Sequence, residues 1–281
     1  MLTYPDINPV AVSLGAFKIH WYGITYLISF VGAWWFGRLR AKQAHSPISP
    51  AQMEDLIFYG AIGVILGGRL GYTFFYNLPA FLDNPLILFQ VWKGGMAFHG
   101  GLIGVLIAMW LYARKVGSTF FRITDFIAPL VPIGLLSGRI GNFINGELWG
   151  GPTDSILGMQ VLCAKSVATE ELCQRVGTPN DSIYSLPVHA SQLYEAALEG
   201  VVLFMILWIF SAKQRPLMSV SGLFLLGYGL FRFSVEFVRM PDAHIGYLAF
   251  DWFTMGQLLT LPMILFGLLL LALAYRNKET A

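Results

Sequence analysis

The stretch from residue 123 to residue 145, ITDFIAPLVPIGLLSGRIGNFIN, decides the fold. It is apolar over a length that crosses a bilayer as one helix, which takes about 20 residues. Yet it carries Arg139, and an arginine at membrane depth costs on the order of 2.5–3.5 kcal/mol on insertion scales. The run Gly138-Arg139-Ile140-Gly141-Asn142-Phe143-Ile144-Asn145-Gly146-Glu147-Leu148-Trp149-Gly150 adds two asparagines, a glutamate and further glycines. A lipid-facing scaffold has no use for such groups, so this run marks a site.

The rest of the chain reads the same way. Of 281 residues, 56% are hydrophobic and 12% charged, about half the charge of a soluble domain. This predicts a single integral membrane domain over residues 1–281. The net charge of +2 gives no broad basic surface for nucleic acid. Before the first span the only charges are Asp6 and Lys18, so no cleavable leader is expected.

Seven apolar stretches predict an all-α membrane protein of seven transmembrane helices, near 20–39, 56–76, 96–113, 123–145, 192–211, 219–239 and 255–275. Basic residues orient them. Arg38, Arg40, Lys42, Arg114, Lys115, Arg122, Lys213, Arg215, Arg276 and Lys278 gather on one side. Lys18, Lys93, Lys165, Arg175 and Arg239 lie on the other. The N-terminus is then outside, the C-terminus is cytoplasmic, and residues 146–190 form a small extracytoplasmic head between spans 4 and 5. That head holds Cys163 and Cys173, which can bond on an oxidising side or stay free thiols.

Orientation places Arg69, Arg139 and Arg232 in the outer half of spans 2, 4 and 6. Tyr22, His99 and the group His189, Ser191, Gln192, Tyr194 and Glu195 begin spans 1, 3 and 5 at a similar depth. One outward-facing cavity is expected. Tyr228, Arg232, Glu236 and Arg239 share a face of span 6 by steps of four, four and three, so Glu236 can neutralise a neighbouring arginine. Arg139, Asn142 and Gly146 share a face of span 4. Arginines are expected to outnumber the acids near them and so to seek an anion. Guanidinium forks match phosphate oxygens, and the abundant phosphate at this depth is a lipid head group. His99, bracketed by Gly94-Gly95 and Gly100-Gly101, is a candidate base. No ATP loop and no metal-ligand spacing is visible, so neither a cofactor nor a metal is expected.

Plainer readings stand beside these. Arg139 can be a structural arginine paired to Glu147 or Glu236, Arg69 can tie loops together, and His99 can bond a carbonyl. Trp21, Trp92, Trp149 and Trp252 read as interfacial anchors. An anion or lipid transporter with an intramembrane arginine site is the alternative function. It predicts polar residues through the inner half and internal repeats, and the sequence displays neither.

Residues 138–150, together with His20-Trp21-Tyr22-Gly23, Gly67-Gly68-Arg69, Phe98-His99-Gly100-Gly101, Ser191-Gln192-Leu193-Tyr194-Glu195 and Tyr228-Gly229 with Phe231-Arg232 and Glu236, resemble the prolipoprotein diacylglyceryl transferases. The resemblance runs from about residue 7 to 276. It implies a transferase of the bacterial inner membrane that acts in lipoprotein biosynthesis, moving the sn-1,2-diacylglyceryl group of phosphatidylglycerol to the lipobox cysteine of a prolipoprotein. A thioether forms and glycerol phosphate leaves. Joined to the reading above, it makes His99, Arg139 and Arg232 the expected catalytic residues. Tyr22, Arg69, Asn142, Asn145, Glu147, Gly150, Tyr228, Glu236 and Arg239 are the expected substrate-binding residues.

Overall fold

The computed structural model describes residues 2–5, 7–15, 17–90, 94–179, 182–241 and 245–277. Asp6, Trp92, Lys93 and Lys278, used in the charge and anchor readings, lie outside them. The fold is mostly helical, and each of the seven apolar stretches is helical. The helices are α1 (Trp21–Ala41), α2 (Gln52–Tyr76), α3 (Leu78–Asp83), α4 (Phe98–Lys115), α5 (Phe120–Ile127), α6 (Val131–Asn145), α7 (Val167–Val176), α8 (Ser191–Glu195), α9 (Leu203–Phe210), α10 (Ser219–Glu236) and α11 (Met255–Asn277). Four helical stretches, Gln52–Tyr76, Phe120–Asn145, Ser191–Phe210 and Met255–Arg276, are long and apolar enough to cross a membrane.

Short strands appear that the all-α expectation did not include. β2 (Val10–Leu14) and β3 (Phe17–His20) make an antiparallel hairpin before α1, and β5 (Tyr247–Ala249) pairs with β6 (Phe253–Thr254) before α11. β1 (Leu2–Thr3) runs parallel to β4 (Met159–Gln160). Each is too short to register against the period of a helical chain.

The chain divides into two compact units, one of Met1–Ala33 with Ala128–Thr280 and one of Trp34–Ile127. Within the second, α2 and α4 meet along glycines. A Cβ added at Gly67 would lie 2.8 Å from the Gly104 Cα, and one at Gly71 would lie 2.8 Å from the Gly100 Cα. Backbones this close pack well in lipid, where small residues replace the missing hydrophobic drive between helices. Gly67→Leu should therefore force the pair apart and cost about 1–3 kcal/mol. A lower melting temperature in detergent is the expected readout.

In the first unit, α8 passes into α9 through a π-helical segment, Ala196–Val202. Gly200 lies against α6 there: an added Cβ would sit 2.7 Å from the Leu136 Cβ. Such wide turns often mark functional positions within helices. The same unit packs a hydrophobic cluster of Trp149, Val161, Leu172, Val176, Val188 and Ala190. Tyr4 joins this cluster, and its hydroxyl donates to the Phe143 and Ile144 carbonyls at the end of α6. The Phe143 carbonyl also accepts the Gly146 N–H at 3.0 Å, so Tyr4 adds to the capping of the helix end. Cys163 and Cys173 are joined as a disulfide. Trp149 is buried and donates from Nε1 to the Gly146 carbonyl at 2.9 Å. This corrects its reading as an interfacial anchor: the positive φ of Gly146 and Leu148 turns the chain back over its own helix end and takes the indole inside.

Candidate active site

Three arginines and three glutamates converge in the first unit. Arg139 of α6 reaches Glu195 Oε2 with Nε at 3.0 Å and Glu199 Oε2 with Nη2 at 3.5 Å. Arg232 of α10 pairs through Nη1 with Glu195 Oε1 and through Nη2 with Glu236 Oε2 at 2.9 Å. Arg239, just past α10, places Nη1 3.2 Å from Glu195 Oε1 and Nε 3.9 Å from Glu236 Oε2. Glu195 is thus the hub, touching all three guanidinium groups.

The expectation that arginines outnumber acids is corrected here, since Glu195, Glu199 and Glu236 match Arg139, Arg232 and Arg239 one for one. Glu147 does not serve Arg139; Glu195 and Glu199 do. Burial explains the pairing, because an unpaired charge in an apolar interior costs several kcal/mol. The partners differ in burial. The side chains of Glu195, Glu199 and Glu236 are 0%, 0% and 5% exposed, whereas those of Arg139, Arg232 and Arg239 are 18%, 14% and 12% exposed. The carboxylate side chains are thus the more deeply buried partners, and the arginine side chains keep partial exposure. Each guanidinium has five N–H donors, more than the ion pairs above take, so donors remain that could meet an anion. Tyr228, half-buried on α10, lies within the electrostatic reach of Arg232, Arg139, Glu195 and Glu199.

The end of α6 builds a second polar group beside this cluster. Asn142 Nδ2 donates to Glu147 Oε1 at 2.8 Å, and Asn145 Nδ2 donates to the same oxygen at 3.5 Å. Tyr22 lies within the electrostatic reach of Asn142 and Glu147. Gly141 makes room for its ring, since an added Cβ would lie 2.9 Å from Tyr22 Cδ2. Ser191 Oγ donates to the Leu148 carbonyl at 2.8 Å, and Gln192 Nε2 donates to the Glu147 carbonyl. The loop after α6 is thereby tied to α8, which carries Glu195. Gly150 sits where chain segments cross. Its N–H donates to the His189 carbonyl at 2.8 Å, and an added Cβ would lie 2.7 Å from the His189 Cβ. Its place is set by backbone approach. His189 shares a hydrogen bond of 3.2 Å with the Tyr194 hydroxyl, and burial lowers the pKa of its imidazole.

His99 and Arg69 belong to the second unit. His99 stands exposed in the first turn of α4, edge-on to Phe98. Arg69 is buried, and its fork donates to four carbonyls: Leu88 at 3.0 Å, Gly95 at 3.1 Å, Gly94 and Ile87. Gly94 and Gly95 take positive φ, the left-handed turn that leads toward α4. These bonds fit the plainer reading of Arg69, since they tie Ile87, Leu88, Gly94 and Gly95 onto α2.

Glu199, Thr254 and Gln257 escaped the sequence reading, and Glu195 received no role in it. The signal was present for the acids. Gln192, Glu195 and Glu199 recur at steps of three and four, and an acid inside an apolar stretch is as costly as the arginine that drew attention.

Fold and site together define a helical integral membrane protein with an arginine–glutamate cluster among its apolar helices. The chain belongs to the prolipoprotein diacylglyceryl transferase family, whose sequence profile matches residues 9–273. It is 58% identical over 280 residues to the phosphatidylglycerol–prolipoprotein diacylglyceryl transferase of Methylococcus capsulatus, covering 99% of this chain and 100% of that one. It is also 55% identical to the proteins of that name from Pseudomonas fluorescens and Azotobacter vinelandii, covering 99% of this chain and 97% and 98% of theirs.

Proposed function

We propose that this chain transfers the sn-1,2-diacylglyceryl group of phosphatidylglycerol to the lipobox cysteine of a prolipoprotein. The cluster of partly exposed arginines paired to buried carboxylates carries the reading. Arg139 and Arg232 hold the phosphate and offset the charge that builds on it as the glyceryl C–O bond breaks. Arg239 flanks them. The thiol sulfur forms the C–S bond of the thioether, the electron pair of the broken bond goes to the phosphate oxygen, and glycerol phosphate leaves. Tyr22, Asn142, Asn145, Glu147 and Tyr228 orient the head group, and Glu236 positions Arg232.

His99 is assigned as the acceptor of the thiol proton from its imidazole chemistry. A free thiol has a pKa of about 8.5, so a thiolate near pH 7 costs only about 2 kcal/mol and a modest base suffices. His99→Gln should lower transfer by the ionisation cost of the thiol, about tenfold to a hundredfold near pH 7. Recovery of the variant at alkaline pH, where the thiol ionises unaided, is the matching expectation.

The reading also places seven helices across the inner membrane. The N-terminus and the 146–190 head are periplasmic, the C-terminus is cytoplasmic, and the site opens toward the periplasmic leaflet. Cationic residues at the cytoplasmic ends of the helices support this orientation. Membranes containing the protein, incubated with phosphatidylglycerol and a lipobox peptide, should yield a diacylglyceryl mass gain on the cysteine. No gain with correctly inserted protein contradicts the proposal.

A further inference from the structure

We infer that Thr254 and Gly256, at the start of α11, are positioning residues for Arg232 and Arg239, acting through Glu236; the inference rests on the anion-holding role proposed for those arginines. The two oxygens of Glu236 have separate duties. Oε2 faces the arginines, 2.9 Å from Arg232 Nη2 and 3.9 Å from Arg239 Nε. Oε1 faces away from that pairing and accepts a hydrogen bond of 2.9 Å from Thr254 Oγ1.

Thr254 is itself fixed. Its Oγ1 accepts from the Gln257 N–H at 3.2 Å, and its own N–H donates to Gln257 Oε1 at 3.0 Å. This reciprocal pattern is a capping box, and it locks the hydroxyl in place. Thr254, Gln257 and Glu236 are all buried, so water does not substitute for a lost partner. A carboxylate at a helix N-terminus is also favoured by the helix dipole. Gly256 completes the seat: an added Cβ would stand 2.6 Å from Glu236 Cδ. Space on one side and a hydroxyl on the other leave the carboxylate one orientation, and that orientation sets where the two guanidinium groups sit. Neither residue lies in the sequence runs that carry the family resemblance.

Thr254→Val removes the hydroxyl at nearly constant volume, Thr254→Ser keeps it, and Gly256→Ala crowds Glu236 while leaving the cap intact. The full-length protein purified in detergent should lose about tenfold in kcat with Thr254→Val, the weight of one hydrogen bond to a charged group. The KM for phosphatidylglycerol should stay within about twofold. Thr254→Ser should recover most of kcat, and Gly256→Ala should lose a similar amount. A residue that only caps α11 would lower the melting temperature and leave kcat per folded protein unchanged. Wild-type kcat in folded Thr254→Val or folded Gly256→Ala overturns the inference, as does failure of Thr254→Ser to recover activity. Loss of folding in both Thr254→Val and Gly256→Ala overturns it too, assigning the pair to stability. Arg232→Ala, run alongside, separates the levels. An inactive Arg232→Ala beside a fully active Thr254→Val removes this inference alone; a fully active Arg232→Ala removes the phosphate reading and the inference with it.

Discussion

Replacing Glu195 by alanine is expected to abolish transfer and to cost about 3–5 kcal/mol of stability, the penalty for breaking a buried ion pair from one side. Glu195 is fully buried and contacts Arg139, Arg232 and Arg239 at once. Its loss strands one face of each guanidinium in low dielectric and removes the carboxylate that, among the described residues, pairs with arginines of both α6 and α10. Neighbours compensate in part, since Arg139 keeps Glu199 and Arg232 keeps Glu236. Glu195→Gln retains the volume and should fall between wild type and alanine. Thermal unfolding in detergent, read beside transfer per folded protein, checks both halves. An unchanged melting temperature in Glu195→Ala would show that the hub contributes nothing to the fold.

Arg139→Ala is expected to lower transfer by about 10²–10³-fold or more while the protein still inserts, the scale seen when one preorganised donor to a developing anion is removed. Arg139 approaches Glu195 from α6 at Oε2, whereas Arg232 and Arg239 share Oε1, so its place is not duplicated by either of them. Arg139→Lys keeps the charge but not the planar fork and should recover only part of the loss. The loss should appear chiefly in kcat, because the charge on the leaving phosphate grows only as the C–O bond breaks. Full transfer in Arg139→Ala would remove Arg139 from the phosphate.

Helices and costly charges were legible in the sequence because both violate what lipid tolerates. Arg139 and Arg232 stood out by that rule, and the three- and four-residue spacing of span 6 correctly put Glu236 beside Arg232. The rule was applied to arginines and not to Glu199, which the structure pairs with Arg139. Arg69 looked identical to Arg139 in sequence, a lone arginine among glycines. What separates them is non-local: the carbonyls of Ile87, Leu88, Gly94 and Gly95 come round to Arg69, while carboxylates come to Arg139. Thr254 and Gly256 were illegible for the same reason. A Thr-x-x-Gln cap is visible locally, but the carboxylate it holds comes from another helix. The burial of Trp149 depends on a left-handed turn at Leu148, a residue whose type gives no hint of it.

Phosphatidylglycerol carrying heavy oxygen in the bond between its diacylglyceryl carbon and phosphorus tests the central claim most directly. After one turnover with a lipobox peptide, the account predicts that all the label leaves in glycerol phosphate and that the cysteine carries a phosphorus-free diacylglyceryl thioether. Phosphorus on the peptide would contradict it, because the thiol would then have attacked the very group the arginines are proposed to hold as leaving group.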